Sequence, residues 1–161
     1  MDTKTKIGLT IGKFAPLHKG HQFLIETALF EMDELAVLIY DCPDITDIPL
    51  PVRAEWIRKL YPGVRLIEAF DSPKKIGKDE ESIRVQIDYI ISKVKDLKIT
   101  HFYSSEWYGE YVSRALGAKN VLIDPERKRF PISGTLSREN LEKYKNMLEV
   151  FVYDDMIKYS N

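Results

Sequence analysis

Short runs of apolar residues alternate with longer amphipathic stretches along this chain, and that alternation is its strongest signal. IGLTI (Ile7 to Ile11), LAVLIY (Leu35 to Tyr40), VRLIEAF (Val64 to Phe70), ITHFYSS and KNVLID read as strands buried on both faces. Between them, HQFLIETALF, PVRAEWIRKLY (Pro51 to Tyr61), ESIRVQIDYIISKVKDL and EWYGEYVSRAL carry helical spacing. In the third of these, Ile83, Ile87, Ile90, Ile91 and Val94 share one side, and Pro51 opens the second where a missing N–H costs least. The order predicts an α/β fold: a Rossmann-like, doubly wound parallel sheet of about five strands with helices on both faces and right-handed crossovers. The tail from Ser133 onward is helical in pattern and is expected to pack across one side as a C-terminal helical segment. Residues 1–161 are read as a single domain.

Ligands of such sheets bind at the carboxyl ends of the strands, near the switch in strand order. The stretch IGKFAPLHKGHQ lies at such an end, and it holds two of the three histidines, His18 and His21, around Gly20. A spacing of three puts both rings on one face of a helix. A helix N-terminus there is an anion site, Gly12 and Gly20 admit a phosphate to the backbone, and Lys13 adds positive charge. The helix dipole disfavours extra charge on the rings, so neutral imidazoles are expected. Two solvated surface histidines are the plain alternative. Ser133, Thr135 and Ser137, with Arg138, form a second hydroxyl-and-cation cluster at a helix start.

Composition narrows the partners. With 24 basic and 25 acidic residues the net charge is −1, which offers no overall field for nucleic acid. The lone Cys42 makes no internal disulfide, and no Cys/His cluster has metal spacing. The first apolar run is too short for a leader or a membrane span, so a soluble cytoplasmic protein without membrane or nucleic-acid partners is expected. A homo-oligomer is compatible with these features.

GKFAPLHKGH resembles the G-x-F-x-P-x-H-x-G-H motif of the HxGH nucleotidylyltransferases, and ISGTLSR resembles their second motif, I-S-x-T-x-x-R. DCPDITDIP, PVRAEWIRKLYPGVRLI and FYSSEWYGEYVSRALGAKNVLIDPERKRFPISGT are similar to the adenylyltransferase domain of bifunctional proteins that make NAD from nicotinamide mononucleotide (NMN). The resemblance implies transfer of AMP from ATP, with Mg²⁺ arriving on the nucleotide, to a phosphate-bearing acceptor, NMN first among them. It implies catalytic roles for His18, His21, Lys13 and Arg138, and ATP contacts from Gly12, Phe14, Gly20, Ser133, Thr135 and Ser137. Asp41, Asp71, Trp107 and Tyr108 are candidates for the acceptor, each with a packing or capping role as the alternative. Arg127, Lys128 and Arg129 can reach the triphosphate or form a solvated loop, as can Lys74, Lys75 and Lys78, whose loop could close over the site. Trp56 and His101 read as structural.

Two departures stand out. The relatives carry a P-loop kinase after this domain; no G-x-x-x-x-G-K-[ST] occurs here, so kinase activity is not expected. Leu141 stands where they have proline, in a segment RENLEKYK without tryptophan. Other acceptors therefore stay open: pantetheine phosphate, FMN, or a sugar or polyol phosphate, with CTP as the alternative donor. ISGTLSR differs from the R-T-x-G-I-S-T form of cytidylyltransferases and leans toward ATP. A nucleotide-sensing module without turnover is the rival from another class.

Overall fold

In the computed structural model, which describes residues 4–73 and 77–160, five parallel strands form one sheet in the order β3-β2-β1-β4-β5. The strands are β1 (Ile7–Gly12), β2 (Glu34–Tyr40), β3 (Arg65–Ala69), β4 (His101–Ser104) and β5 (Lys119–Leu122). Four helices alternate with them: α1 (Lys19–Glu31), α2 (Leu50–Leu60), α3 (Glu80–Lys93) and α4 (Gly109–Leu116). The tail adds α5 (Gly134–Glu139), a 3₁₀ turn at Lys145–Met147 and α6 (Val150–Lys158).

The apolar run in β2 shows why this sheet must be covered twice. Leu35, Val37 and Ile39 enter the core beneath α1, α2 and α6, while Ala36 and Leu38 face the core beneath α3 and α4. Each face takes every second residue. α6 docks through hydrogen bonds from Trp56 Nε1 to Asp155 (2.7 Å) and from Gln22 Nε2 to Glu149 (3.0 Å). Trp56 is accordingly buried, as its place in the sequence pattern suggests. On α3, Ile90 and Val94 are buried but Ile91 is exposed, because α3 covers the edge of the sheet and its apolar face is wider than the contact.

β1 pairs with β2 on one side and β4 on the other, with Gly8 beside His101 and Leu9 beside Phe102. Strand order reverses there. The connections after β1 and β4 leave toward opposite faces, which opens a crevice beyond Gly12 and Ser104. Among the described residues no helix is long and apolar enough to cross a membrane.

Candidate functional site

A cleft of about 370 Å³ occupies this crevice. Its floor is the end of β1 and the turn that follows. Phe14 there has a φ of 48°, a left-handed conformation unusual for a non-glycine residue, and its ring meets His21 edge-on at 4.8 Å. Arg53, fully buried on α2, donates from Nη1 to the Lys13 carbonyl (2.5 Å) and to that of Tyr40 (3.3 Å), and from Nε to Ile48 (3.0 Å). The turn is thus tied from below to the end of β2.

His18 is the N-cap of α1 rather than its first residue. Its Nδ1 accepts the backbone N–H of Gly20 (3.1 Å) and of His21 (3.3 Å), while His21 Nδ1 accepts the N–H of His18 (3.2 Å). This is a capping box made from two imidazoles, whose rings stack at 3.6 Å. A nitrogen that accepts an N–H must carry its lone pair, so the ring proton of each histidine sits on Nε2. His18 Nε2 is buried and has no hydrogen-bond partner. Burial, with the Arg127 guanidinium nearby, pushes the His18 pKa from 6.5 down to about 3. Burial, then His18 and then Arg127, holds His21 well below its ordinary value. Both rings are therefore neutral, as expected, though desolvation dominates. A Cβ at Gly20 would lie 2.9 Å from the His18 ring, so the glycine is what lets that ring lie over the helix start.

The second cluster faces the first across the cleft. Ser133 caps α5 by accepting the Leu136 N–H (3.1 Å). Arg138 donates from Nη1 to the Ala15 carbonyl (2.6 Å) and from Nη2 to Thr135 Oγ1 (3.3 Å), which ties the two motif loops together. Ser133, Thr135 and Arg138 line the cleft with Gly12, Lys13, Phe14, His18, Gly20, His21, Trp107 and Tyr108. Ser137 does not join them; it is fully buried and its hydroxyl donates to the Ser133 carbonyl (2.8 Å).

Beside the cleft lies a smaller, apolar cavity of about 110 Å³, and the two share Ile11, Tyr40, Trp107 and Tyr108. Trp107 stands half-exposed between them, edge-on to Tyr108 and Tyr111, with Lys78 Nζ 5.3 Å above its ring. Two candidate acceptor residues lie elsewhere. Asp71 accepts from Tyr89 (2.7 Å) and pairs with Lys93 (3.0 Å), outside both cavities. Asp41 sits 3.6 Å from Arg53 and accepts the Cys42 N–H. Lys74 and Lys75 lie outside the described residues.

The loop after β5 carries the three cations that the sequence leaves open between the triphosphate and solvent. The Asp124 carboxylate accepts the N–H groups of Lys128, Arg129 and Phe130, and this curls Arg127 into the cleft. Arg129 instead stacks on Phe23 (4.7 Å) and Lys128 pairs with Glu126. Arg53 and Glu106 lie inside stretches that resemble the family but outside the two short motifs, so neither takes a role from the sequence. Among the described residues no three His, Cys, Asp or Glu side chains cluster as metal ligands.

Comparison with known proteins agrees with this geometry. The cytidylyltransferase-like family model matches residues 9–140. The trifunctional NAD biosynthesis/regulator protein NadR of Escherichia coli is 30% identical over 161 residues, covering 88% of this chain and 38% of that protein. The phosphopantetheine adenylyltransferase of Fusobacterium nucleatum is 27% identical over 161 residues, covering 94% and 92%. A crystal structure of NadR in complex with NAD and AMP-PNP superposes with a TM-score of 0.62 at 18% identity, covering 89% of this chain and 44% of that one, a likeness of fold. This chain thus spans well under half the length of NadR. With the family match running from β1 through both motif loops to the end of α5, the chain belongs to the cytidylyltransferase-like family, among the HxGH nucleotidylyltransferases.

Proposed function

We propose that this protein transfers AMP from ATP to a phosphate-bearing acceptor, with NMN as the preferred one, and releases pyrophosphate. The observation that carries the reading is the pair of imidazoles on the cleft wall whose Nδ1 atoms are consumed by the fold, so that each ring proton sits on Nε2, with that of His18 buried and unpartnered. An oxygen of the acceptor phosphate attacks the α-phosphorus, and the bond from that phosphorus to the β-phosphate bridging oxygen breaks. No protein nucleophile is needed. His18 and His21 donate to oxygens whose negative charge grows in the transition state, where fixed donors count most. Lys13 lies against the reacting phosphates, and Ser133, Thr135 and Arg138 hold the β- and γ-phosphates. Mg²⁺ suits this donor set as an ion carried by phosphate oxygens and water, since of the two cleft carboxylates Asp124 is taken up by backbone N–H groups and Glu106 pairs with Arg127.

The apolar cavity beside Trp107 supports an acceptor with a flat ring, which stacks on an aromatic face and leaves its phosphate in the cleft. The NAD-related relative favours NMN, while the phosphopantetheine relative favours a flexible acceptor without a ring. Pyrophosphate release measured with ATP or CTP against NMN, pantetheine phosphate, FMN and sugar phosphates tests the reading. ATP with NMN is expected to be fastest. Faster turnover of another acceptor replaces NMN, faster turnover of CTP replaces the donor, and ATP binding without turnover on any acceptor makes the protein a sensor.

A further inference from the structure

An acid in the cleft is the feature that adenylyl transfer leaves unexplained. Glu106 follows β4 and lines the cavity in which a polyanion would sit. Its Oε1 accepts from Arg127 Nη2 at 2.9 Å, while Arg127 Nη1 donates to the carbonyl of Ile132 (3.0 Å), the residue before Ser133. Backbone strain shows that Arg127 is held there. It has a φ of 54°, and Asp124, which anchors the loop, has a φ of 46°. The ion pair itself does little for the fold, because its side chains are 36% and 40% exposed and such pairs contribute little in water. What it does is occupy a guanidinium that lines the cleft beside both histidine rings.

We infer that Arg127 is a further phosphate-binding residue, held at the cleft by its pair with Glu106 and passed from that carboxylate to the nucleotide when the triphosphate enters. This rests on the reading of the cleft as a triphosphate site. A guanidinium binds carboxylate and phosphate oxygens through the same planar fork, so the exchange needs only a small swing of the side chain. The triphosphate, with several negative charges, displaces a single half-exposed carboxylate. Glu106 then costs affinity, and in return the guanidinium is kept from collapsing onto other acceptors.

A double-mutant cycle read by calorimetric titration of ATP tests this. Arg127→Ala is expected to weaken ATP binding about tenfold, the loss of one charge-assisted contact. Glu106→Gln is expected to tighten it about threefold, by freeing Arg127, and to have no effect in the Arg127→Ala background. Arg127→Lys keeps the charge without the fork and is expected to lie between, which serves if the alanine variant folds poorly by circular dichroism. The inference is overturned if folded Arg127 variants bind ATP like the wild type, if Glu106→Gln does not tighten binding, or if it tightens binding equally in both backgrounds, which would make Glu106 a simple repulsive charge. Pyrophosphate release by the wild type is scored separately. A wild type without turnover that still shows this binding pattern refutes adenylyl transfer and leaves Arg127 in its role, while turnover without the pattern does the reverse.

Discussion

The two helix starts that face each other across the cleft are built on opposite plans. At α1 the capping groups are the imidazoles themselves: each ring spends one nitrogen on the backbone, so the proposed chemistry and the folding would use the same side chains. At α5 the labour is divided. Ser133 and the buried Ser137 hold the turn, while Thr135 is exposed and the partly buried Arg138 reaches across to the Ala15 carbonyl. On the proposed function, the first site would aim fixed donors at charge that exists only fleetingly, and the second would grip phosphates that are charged throughout.

The sharpest way to break this contrast is His18→Ala. It removes a donor and a cap together, so turnover is expected to fall roughly 10² to 10³ fold and stability by about 1 kcal/mol, read by steady-state kinetics and denaturant melts. His18→Asn separates the two effects, since asparagine caps a helix but offers no Nε2–H. It should recover the stability and leave turnover low; recovered turnover would reject the donor role.

Acid should strike the first site alone. Both rings are neutral in the fold and protonate near pH 6.5 once the chain unfolds, so the unfolded state binds more protons below that pH. Stability is expected to be full above pH 6.5 and to decline as the pH falls toward about 3, by up to about 1.4 kcal/mol per pH unit for His18, with His21 acting in the same direction. Melts between pH 7 and roughly pH 4 check this, and His18→Asn should flatten the slope.

Arg138→Ala is expected to raise the Michaelis constant for ATP about tenfold, because its grip is made in the ground state. Ser133→Ala marks the small end. Loss of this cap should cost about 1 kcal/mol at most and lower turnover only several-fold, as a short exposed helix start has other ways to satisfy its N–H groups. A loss as large as that at His18 would erase the contrast.

Much of this was legible in the sequence because it depends on period and order. LAVLIY could only be a strand buried on both faces, and the two motifs had to meet because both follow strands at one edge of the sheet. The residues that the structure places outside the cleft, or that the sequence leaves open, share a cause. Ser137 sits in a motif beside Ser133, but a helical turn points its hydroxyl at a carbonyl rather than the cleft. Asp71 ends a strand run, yet Tyr89 and Lys93, well along the chain on α3, claim its carboxylate. Arg127, Lys128 and Arg129 fit a triphosphate contact and a solvated loop alike in the sequence, and only the Asp124 turn separates Arg127 from its neighbours. Partners chosen by tertiary proximity leave no local trace.

Arg53 carries a consequence for which substitutions the protein tolerates. Its guanidinium reaches three carbonyls, those of Lys13, Tyr40 and Ile48, with Asp41 alongside, all from a position with no exposure. Lysine brings one point of charge where a plane with donors on three sides is required, and a neutral residue strands the carbonyls in the core. In a saturation library at position 53, selected for nucleotide turnover, arginine is expected to be the residue recovered.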